Sequence, residues 1–188
     1  MGMSQTAERW TAEMVRGLPD DGNRYEVLDG ELFVTPAPRA AHQRAVGELL
    51  VRLVTYLRHW KLGEALSSPA DIEFSDTRLV QPDVFVVPFD AAGRKRQGWS
   101  DMKELVLAVE VLSPSTARAD RLVKRRIYQE EPVGEYWVVD LDARIIERWR
   151  PNDERPEVLS DRLSWHPAGA SAALELDLPA YFAELLDR

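Results

Sequence analysis

Two acidic residues stand at positions where they could form a metal site. Asp83 follows Pro82 at the start of the apolar stretch 84–87, and Glu110 interrupts a second apolar stretch, residues 105–112. A buried, ionised carboxylate needs a counter-charge, which a cation, a hydrogen-bonded partner or a metal ion supplies. Because Mg²⁺ and Mn²⁺ prefer oxygen ligands, we expect Asp83 and Glu110 to hold one divalent ion.

Each acidic residue also has an ordinary structural explanation. Glu110 could be tied to an arginine or to a helix N-terminus, since structural ion pairs also perturb carboxylates. Asp83 could be an N-cap or turn residue, which is common directly after proline. Strand pairing separates these explanations from a metal site. We therefore predict that residues 84–87 and 105–112 form adjacent strands, which brings the two carboxylates together.

A helix is predicted after the Ser113-Pro114-Ser115-Thr116 segment, and it supplies a third group. Its apolar arc contains Leu122, Val123 and Ile127. Its polar row contains Asp120, Lys124 and Tyr128, at positions i, i+4 and i+8. Lys124 can therefore point along the sheet toward the two carboxylates, with the helix packed near them. The alternative is that Lys124-Arg125-Arg126 is a solvated basic face.

Six short motifs follow one another along the chain. They are Tyr25-Glu26-Val27-Leu28-Asp29-Gly30-Glu31-Leu32, His42-Gln43, Gln81-Pro82-Asp83, Val109-Glu110-Val111-Leu112-Ser113-Pro114-Ser115-Thr116, Lys124, and Glu135-Tyr136-Trp137-Val138-Val139-Asp140. In this order and spacing the chain resembles the Uma-two family of putative restriction endonucleases, which is placed in the PD-(D/E)XK nuclease superfamily. The resemblance covers nearly the whole chain and implies a restriction-endonuclease-like core.

The resemblance also implies a role for each candidate residue. In the superfamily pattern an Asp and a Glu-X-Lys surround a divalent metal, and the Lys helps to position or activate the attacking water. Asp83 and Glu110 match the carboxylates. Leu112 stands where the Lys would be, so Lys124 on the next helix is the implied replacement. Glu31 is implied as an auxiliary acid; its alternative is an exposed residue beside a hairpin turn.

Composition limits the class of protein. The 188 residues suit a single domain, residues 1–188, and the absence of cysteine excludes disulfides, thiolate zinc sites and cysteine nucleophiles. No stretch approaches the roughly 20 apolar residues of a membrane span, and a signal-peptide core is missing. A cytoplasmic protein without a membrane partner is therefore predicted. The sequence leaves the oligomeric state open, and a homodimer is compatible with it.

The net charge of −8 opposes broad contact with nucleic acid, which relies on Lys and Arg to neutralise phosphates. Residues 118–126 carry five basic residues against one acidic residue beside the proposed site, and Arg94-Lys95-Arg96 near Trp99 is a second candidate contact. Two functions follow. One is a Mg²⁺- or Mn²⁺-dependent endonuclease that acts on nucleic acid, DNA before RNA. The other is a catalytically silent nucleic-acid-binding or protein-interaction module of the same fold.

Hydrophobic periodicity and turn residues predict an α/β fold with a mixed β-sheet and flanking helices. Helices are expected at residues 7–16, at 41–60, from Asp120, and from near Pro179. Strands are expected at residues 71–74, 84–87, 105–112, 136–140, 144–150 and 172–176. The Asp29-Gly30 pair predicts a hairpin turn between two further strands. His42 opens the long helix; it could lie near the site, although a histidine at a helix start is more often a surface or capping residue.

Overall fold

The computed structural model describes residues 9–187, which form an α/β fold with flanking helices. The helices are α1 (Ala12–Arg16), α2 (Ala40–Trp60), α3 (Arg125–Glu130) and α4 (Leu178–Leu186). The strands are β1 (Arg24–Leu28), β2 (Glu31–Thr35), β3 (Gly63–Ser67), β4 (Ile72–Ser75), β5 (Arg78–Val80), β6 (Val84–Pro88), β7 (Leu105–Val111), β8 (Val133–Asp140), β9 (Ile145–Trp149), β10 (Glu157–Leu159), β11 (Arg162–Trp165) and β12 (Leu174–Asp177). Within the described part of the chain, no helix is long and apolar enough to cross a membrane.

The strands of residues 9–187 form one large mixed sheet and two smaller sheets. The large sheet has the order β10-β9-β8-β7-β6-β3, the second has the order β2-β1-β5-β4, and β11 pairs with β12. β7 and β8 run parallel, whereas the other neighbours in the large sheet are antiparallel. A parallel pair needs a long crossover connection. The segment that carries Lys124 and α3 is that crossover, so it lies across the sheet beside β7.

The predicted pairing of residues 84–87 with residues 105–112 is confirmed. β6 and β7 are antiparallel neighbours, with Val84 opposite Val109 and Val86 opposite Leu107. Asp83 precedes β6 by one residue and Glu110 follows Val109 by one residue, so the register sets the two carboxylates opposite each other. This pairing is the frame of the candidate site.

Both faces of the large sheet are covered, as the apolar sequence of β7 predicts. One face packs against α2 and α4 through Leu49, Leu53 and Phe182, among other residues. The other face packs against α3 and the second sheet through Ile127 and Tyr128. Glu110 is therefore only 2% exposed, because it lies in a strand that is buried from both sides.

The hairpin predicted at Asp29-Gly30 is confirmed, because β1 and β2 pair antiparallel around these residues. Asp29 and Gly30 both adopt positive φ angles, 54° and 88°, as a two-residue type I′ turn requires. β1 also pairs with β5. This second pairing carries Glu26 of β1 to the start of β6 and thus to the candidate site.

The predicted helix 41–60 is observed as α2, Ala40–Trp60. It ends at Trp60, as predicted, and the following residue, Lys61, adopts the left-handed conformation with φ 54°. The predicted helix 7–16 is observed from Ala12, after the N-cap Thr11; its first two residues lie outside the described part of the chain. The short strands β3, β5, β10 and β11 were not predicted, since three to five residues carry little periodicity.

Candidate active site

Asp83 lies at the entrance of β6 and is held from three directions. Its Oδ1 accepts a hydrogen bond from Arg24 at 2.7 Å, and its Oδ2 lies 2.9 Å from both His42 Nε2 and the backbone N–H of Val111. The last contact ties the carboxylate directly to the strand that carries Glu110. His42 is thus a buried residue of the site, and the alternative of a surface or capping histidine is wrong.

Lys124 occupies the other half of the site, where its ammonium is surrounded by carboxylates. Its Nζ lies 2.8 Å from Glu26 Oε2, 3.0 Å from Glu110 Oε1 and 3.6 Å from Asp120 Oδ1. Lys124 is only 3% exposed, so the alternative of a solvated basic residue is wrong. The helix after β7 therefore brings the lysine to Glu110, as the sequence predicted from its spacing.

The phase of that helix differs from the prediction. Residues Ala119–Lys124 form a π-helical turn, in which the N–H of Arg125 bonds to the carbonyl of Asp120, before α3 continues. The wider turn directs the polar row Asp120, Lys124 and Tyr128 into the protein, where all three are buried. Leu122, assigned to the buried apolar arc, is instead 52% exposed, so that part of the prediction is wrong.

Glu110 is held at one of its two oxygens. Oε1 accepts hydrogen bonds from Lys124 Nζ at 3.0 Å and from the hydroxyl of Tyr128 at 3.1 Å. Within residues 9–187, Oε2 accepts no hydrogen bond, and Glu110 lines the cavity above the cluster. The carboxylate is therefore oriented by two donors at Oε1, in a residue that lines the cavity.

The two halves of the site have opposite electrostatics. Burial raises the pKa of Asp83, but the hydrogen bond and charge of His42, the charge of Arg24 and the N–H of Val111 outweigh it and hold this pKa at about 2. Burial, with repulsion from the neighbouring carboxylates, raises the pKa of Glu110 well above its usual value despite the attraction of Lys124. Burial also raises the pKa of Asp120.

Lys124 is held in its charged form. Burial alone would lower the pKa of this ammonium, but the charges of Glu110, Glu26 and Asp120 outweigh burial and raise the pKa well above its usual value. Four carboxylates thus share the cluster with two fixed cations, Lys124 and the Arg24 guanidinium. This excess of negative charge favours the uptake of a further cation or of protons.

A cavity of about 190 Å³ opens above the cluster. Its walls come from β1, the loop between β2 and α2, the start of α2, the start of β6, the end of β7 and the segment after β7. It is lined by the four carboxylates, Lys124, Arg24 and His42, together with Arg39, Ser113, Pro114, Ser115 and Thr116. The hydroxyl of Ser113 lies 3.0 Å from those of Ser115 and Thr116. The acidic floor and hydroxyl-lined wall are therefore open to a small charged group.

Glu31, the implied auxiliary acid, does not join the cluster. It is exposed at the start of β2 and does not line the cavity. Glu26, five residues earlier on β1, lies in the cluster instead; its Oε1 accepts the backbone N–H of Gln81 at 2.7 Å. The alternative for Glu31, an exposed residue beside a hairpin turn, describes its position.

Sequence reasoning missed three of the residues that surround the candidate carboxylates: Arg24, Glu26 and Asp120. Glu26 carried a usable signal, since it stands in β1 between Tyr25 and Val27 in the same motif as Glu31. Asp120 also had a usable sequence signal, because it lies four residues before Lys124 in the same polar row of the helix. Arg24 contacts an aspartate 59 residues away, and no local pattern indicates such a contact.

The basic stretch 118–126 is not an open cationic patch. Arg121 pairs with Asp140 and Glu147 at 2.7 Å each, Arg126 pairs with Asp29, and Arg125 lies over the ring of Trp149. The second basic segment is similar, because Arg94, Lys95 and Arg96 pair with Asp90, Glu64 and Glu104. In the described part of the chain, Arg118 is the member of the first stretch whose side chain has no ion pair or hydrogen bond.

The residue types of the cluster fit a hard divalent cation. Carboxylate oxygens are the ligands that Mg²⁺ and Mn²⁺ prefer, and Asp120 Oδ1 is a buried oxygen without a hydrogen-bond partner. Residues 9–187 contain no set of three His, Asp or Glu side chains already arranged around one point. A site here would therefore use one or two carboxylates together with water and phosphate oxygens, as Mg²⁺ sites commonly do.

Comparison with known proteins places these features in a family. The fold is similar to that of a putative nuclease belonging to DUF820 from Anabaena variabilis ATCC 29413, with a TM-score of 0.75 and 20% sequence identity over 94% of this chain and 99% of the other. No curated protein matches the chain. Residues 12–183 match the Uma2 family, described as putative restriction endonucleases. The resemblance seen in the six motifs is thus confirmed, and the chain belongs to the Uma2 family.

Proposed function

We propose that the chain is a divalent-metal-dependent nuclease that hydrolyses phosphodiester bonds of nucleic acid, DNA before RNA, with Mg²⁺ or Mn²⁺ as cofactor. The observation that carries this proposal is the meeting of Asp83, Glu110 and Lys124 in one cavity. The carboxylates come from the paired strands β6 and β7, and the ammonium lies 3.0 Å from Glu110. Membership of the Uma2 family supports a nuclease activity.

Asp83 and Glu110 would hold the ion, each in a different way. Asp83 is kept ionised by His42 and Arg24, so it supplies a permanent negative charge. Glu110 is oriented through Oε1, and it lines the cavity. A divalent ion held by these two carboxylates would polarise the scissile phosphate and lower the pKa of a bound water, the usual contributions of a metal to hydrolysis.

Lys124 acts as a fixed positive charge. Because the surrounding carboxylates keep this ammonium protonated, it does not accept a proton from water near neutral pH. It keeps Glu110 in place and stabilises the negative charge that builds up on the phosphate oxygens during hydrolysis. The lysine therefore serves as a donor and an electrostatic group, and not as a general base.

A cleavage assay tests the proposal. Plasmid DNA, a single-stranded DNA and an RNA oligonucleotide would be incubated with Mg²⁺, with Mn²⁺ or with EDTA. We expect cleavage only with metal, and a loss of about a hundredfold or more in Asp83→Asn and Glu110→Gln, since a metal ligand is removed. Mn²⁺ should also raise the melting temperature of the wild type, by binding the folded state.

Glu31→Gln is the matched control, because it changes an exposed acid of the same motif as Glu26 without touching the cluster. It should cleave at the wild-type rate. Equal defects in Glu31→Gln and Glu110→Gln, or cleavage that persists in EDTA, would contradict the proposed site. Light scattering on the same samples tests the homodimer that the sequence leaves open.

A catalytically silent module of the same fold is the second candidate. One observation favours it: both oxygens of Asp83 are already engaged by Arg24, His42 and Val111. Such a closed cluster could serve folding alone. This candidate predicts nucleic-acid or protein binding without cleavage, and a melting temperature that millimolar Mn²⁺ does not change.

A further inference from the structure

A second cavity opens directly beside the active-site cavity. Its volume is about 400 Å³, within the range of small-molecule pockets. Its walls come from the start of α2, the loop after β7, the turn between β8 and β9, and the end of α4. Both cavities are lined by Arg39, His42, Ser113 and Pro114. A nucleic-acid strand that occupies the active-site cavity can therefore continue along the protein surface into the second cavity.

Seven of the thirteen residues that line the second cavity are apolar. The apolar residues are Ala41, Leu112, Pro114, Ala117, Leu141, Ala143 and Leu186. The charged pair at its edge, Arg121 and Asp140, is satisfied internally at 2.7 Å. Asp142 is exposed on the rim, where its carboxylate can accept hydrogen bonds. Apolar walls with a polar rim suit a planar base, which has apolar faces and a polar edge.

Arg39 stands at the junction of the two cavities, directly before α2. It is exposed, and within residues 9–187 no ion pair or side-chain hydrogen bond is found for it. The other arginine of each cavity is neutralised: Arg24 in the active-site cavity pairs with Asp83, and Arg121 in the second cavity pairs with Asp140. Arg39 is therefore positioned to contact a phosphate that lies between the two cavities.

The charge distribution of the protein favours a substrate that is held by its bases. Binding to a duplex relies on many contacts between cations and phosphates. The net charge here is −8, and most cations of the 118–126 and 94–96 segments are paired with protein carboxylates. Burial of a base against apolar side chains supplies affinity without additional positive charge.

We propose, on the basis of the nuclease function above, that the second cavity receives an unpaired nucleobase of the substrate strand, next to the scissile phosphodiester, while Arg39 contacts the intervening phosphate. The substrate class is then nucleic acid with an unpaired nucleotide at the cleavage position: a single strand, a flap or a loop. A base inside a continuous duplex is stacked and paired, and it enters such a cavity only if it is extruded.

Binding, measured apart from cleavage, tests this assignment. Fluorescence anisotropy would be recorded for a labelled single-stranded DNA, its full duplex and a single-stranded RNA, in EDTA and with Ca²⁺. We expect single strands to bind roughly tenfold more tightly than the duplex, as the burial of one base permits. The plot of log K against log salt should have a slope of about −1, as one or two phosphate contacts imply. Equal or tighter duplex binding would overturn the assignment.

Two variants locate the base and the phosphate. Ala143→Trp fills the second cavity from an exposed position and should weaken single-strand binding by roughly tenfold while leaving duplex binding unchanged. Arg39→Ala should weaken binding and bring the salt slope closer to zero. Arg58→Ala is the matched control, since Arg58 lies on the same helix, is exposed and borders a different cavity. An Ala143→Trp protein with wild-type affinity for single strands would overturn the assignment.

Cleavage separates this inference from the function on which it rests. An abasic site placed along a single-stranded substrate should suppress cutting at one fixed offset from the cleaved bond. Cleavage of duplex and abasic substrates at the rate of the intact single strand would overturn the base-binding cavity and leave the nuclease function standing. Selective single-strand binding without any metal-dependent cleavage would overturn the nuclease function and leave the cavity assignment standing.

Discussion

The two halves of the site differ in the number of partners that each buried charge has. The Asp83 carboxylate is held by Arg24, His42 and the N–H of Val111. In the other half, the single ammonium of Lys124 is the counter-charge for Glu26, Glu110 and Asp120. The pKa of Asp83 is consequently lowered to about 2, and the pKa values of Glu110 and Asp120 are raised. The Asp83 half therefore satisfies its buried charge from within the protein. The Lys124 half carries negative charge that the protein leaves uncompensated.

This difference indicates which half of the site is adapted to an added cation. Removing one partner of a buried charge pair is destabilising because it leaves a charge uncompensated, and buried carboxylates that outnumber their cations cost stability for the same reason. Perturbed carboxylates in a cavity are typical of functional sites, although structural ion pairs also produce them. We infer that Asp83 anchors β6 to β7 and that the Lys124 half provides most of the attraction for a metal ion.

The largest effect that distinguishes the two halves is expected in the free energy of unfolding. Asp83→Ala leaves Arg24 and the Val111 N–H without their acceptor, so it should lower the free energy of unfolding by about 3 kcal/mol. Glu110→Gln removes a repelled charge and should leave the stability unchanged or raise it by about 1 kcal/mol. Urea unfolding at pH 8 in EDTA measures both. A Glu110→Gln protein that is as unstable as Asp83→Ala would abolish the distinction.

A smaller effect is expected in the dependence of stability on pH. Because the pKa of Asp83 is lowered in the folded state, its contribution is present above the unfolded value of about 4 and is lost as the pH falls toward 2. Because the pKa of Glu110 is raised in the folded state, the folded protein keeps a proton that the unfolded chain has released. The free energy of unfolding therefore falls as the pH rises above the ordinary pKa of a glutamate. The limiting slope is about 1.4 kcal/mol per pH unit for one proton.

Thermal melts of the metal-free protein at a series of pH values, from acidic to pH 8, test the predicted direction of each pH dependence. The wild type should be most stable at mildly acidic pH and should lose stability toward pH 8. In Glu110→Gln the loss on the alkaline side should become smaller, while the loss below pH 4 should remain. A wild-type stability that rises steadily from pH 5 to pH 8 would contradict an uncompensated Lys124 half.

The smallest effect concerns the hydroxyl of Tyr128, which orients Glu110. Tyr128→Phe removes the 3.1 Å hydrogen bond to Glu110 Oε1 and should weaken Mn²⁺ binding by about tenfold, as changes to groups that support a metal ligand often do. Tyr136→Phe is the matched control. Its hydroxyl is equally buried but donates to the backbone carbonyl of Asp120.

Both tyrosine variants should lose about 1 kcal/mol of stability, the usual contribution of one hydrogen bond, so only metal affinity distinguishes them. Isothermal titration with Mn²⁺ at pH 8 provides the comparison. Equal Mn²⁺ affinities in Tyr128→Phe and Tyr136→Phe would reduce Tyr128 to a packing residue.

Local patterns in the amino-acid sequence were sufficient to predict the family, the mixed α/β fold and the convergence of two carboxylates. These conclusions depend on local patterns: apolar runs give strands, Asp29-Gly30 gives a hairpin turn, and Pro82 marks the start of β6. The lysine on the helix after β7 was also predicted, because the spacing of Asp120, Lys124 and Tyr128 is a property of any helix.

The pairing of the charges depends on long-range contacts that the folded chain makes. Arg24 and His42 reach Asp83 across 59 and 41 residues of sequence, and Glu26, not Glu31, enters the cluster because β1 pairs with β5. The π-helical turn buries the polar row and exposes Leu122, and the cations of the 118–126 stretch are neutralised by residues from other elements. Long-range contacts set burial and ion pairing, and local periodicity carries no information about which distant side chain completes a pair.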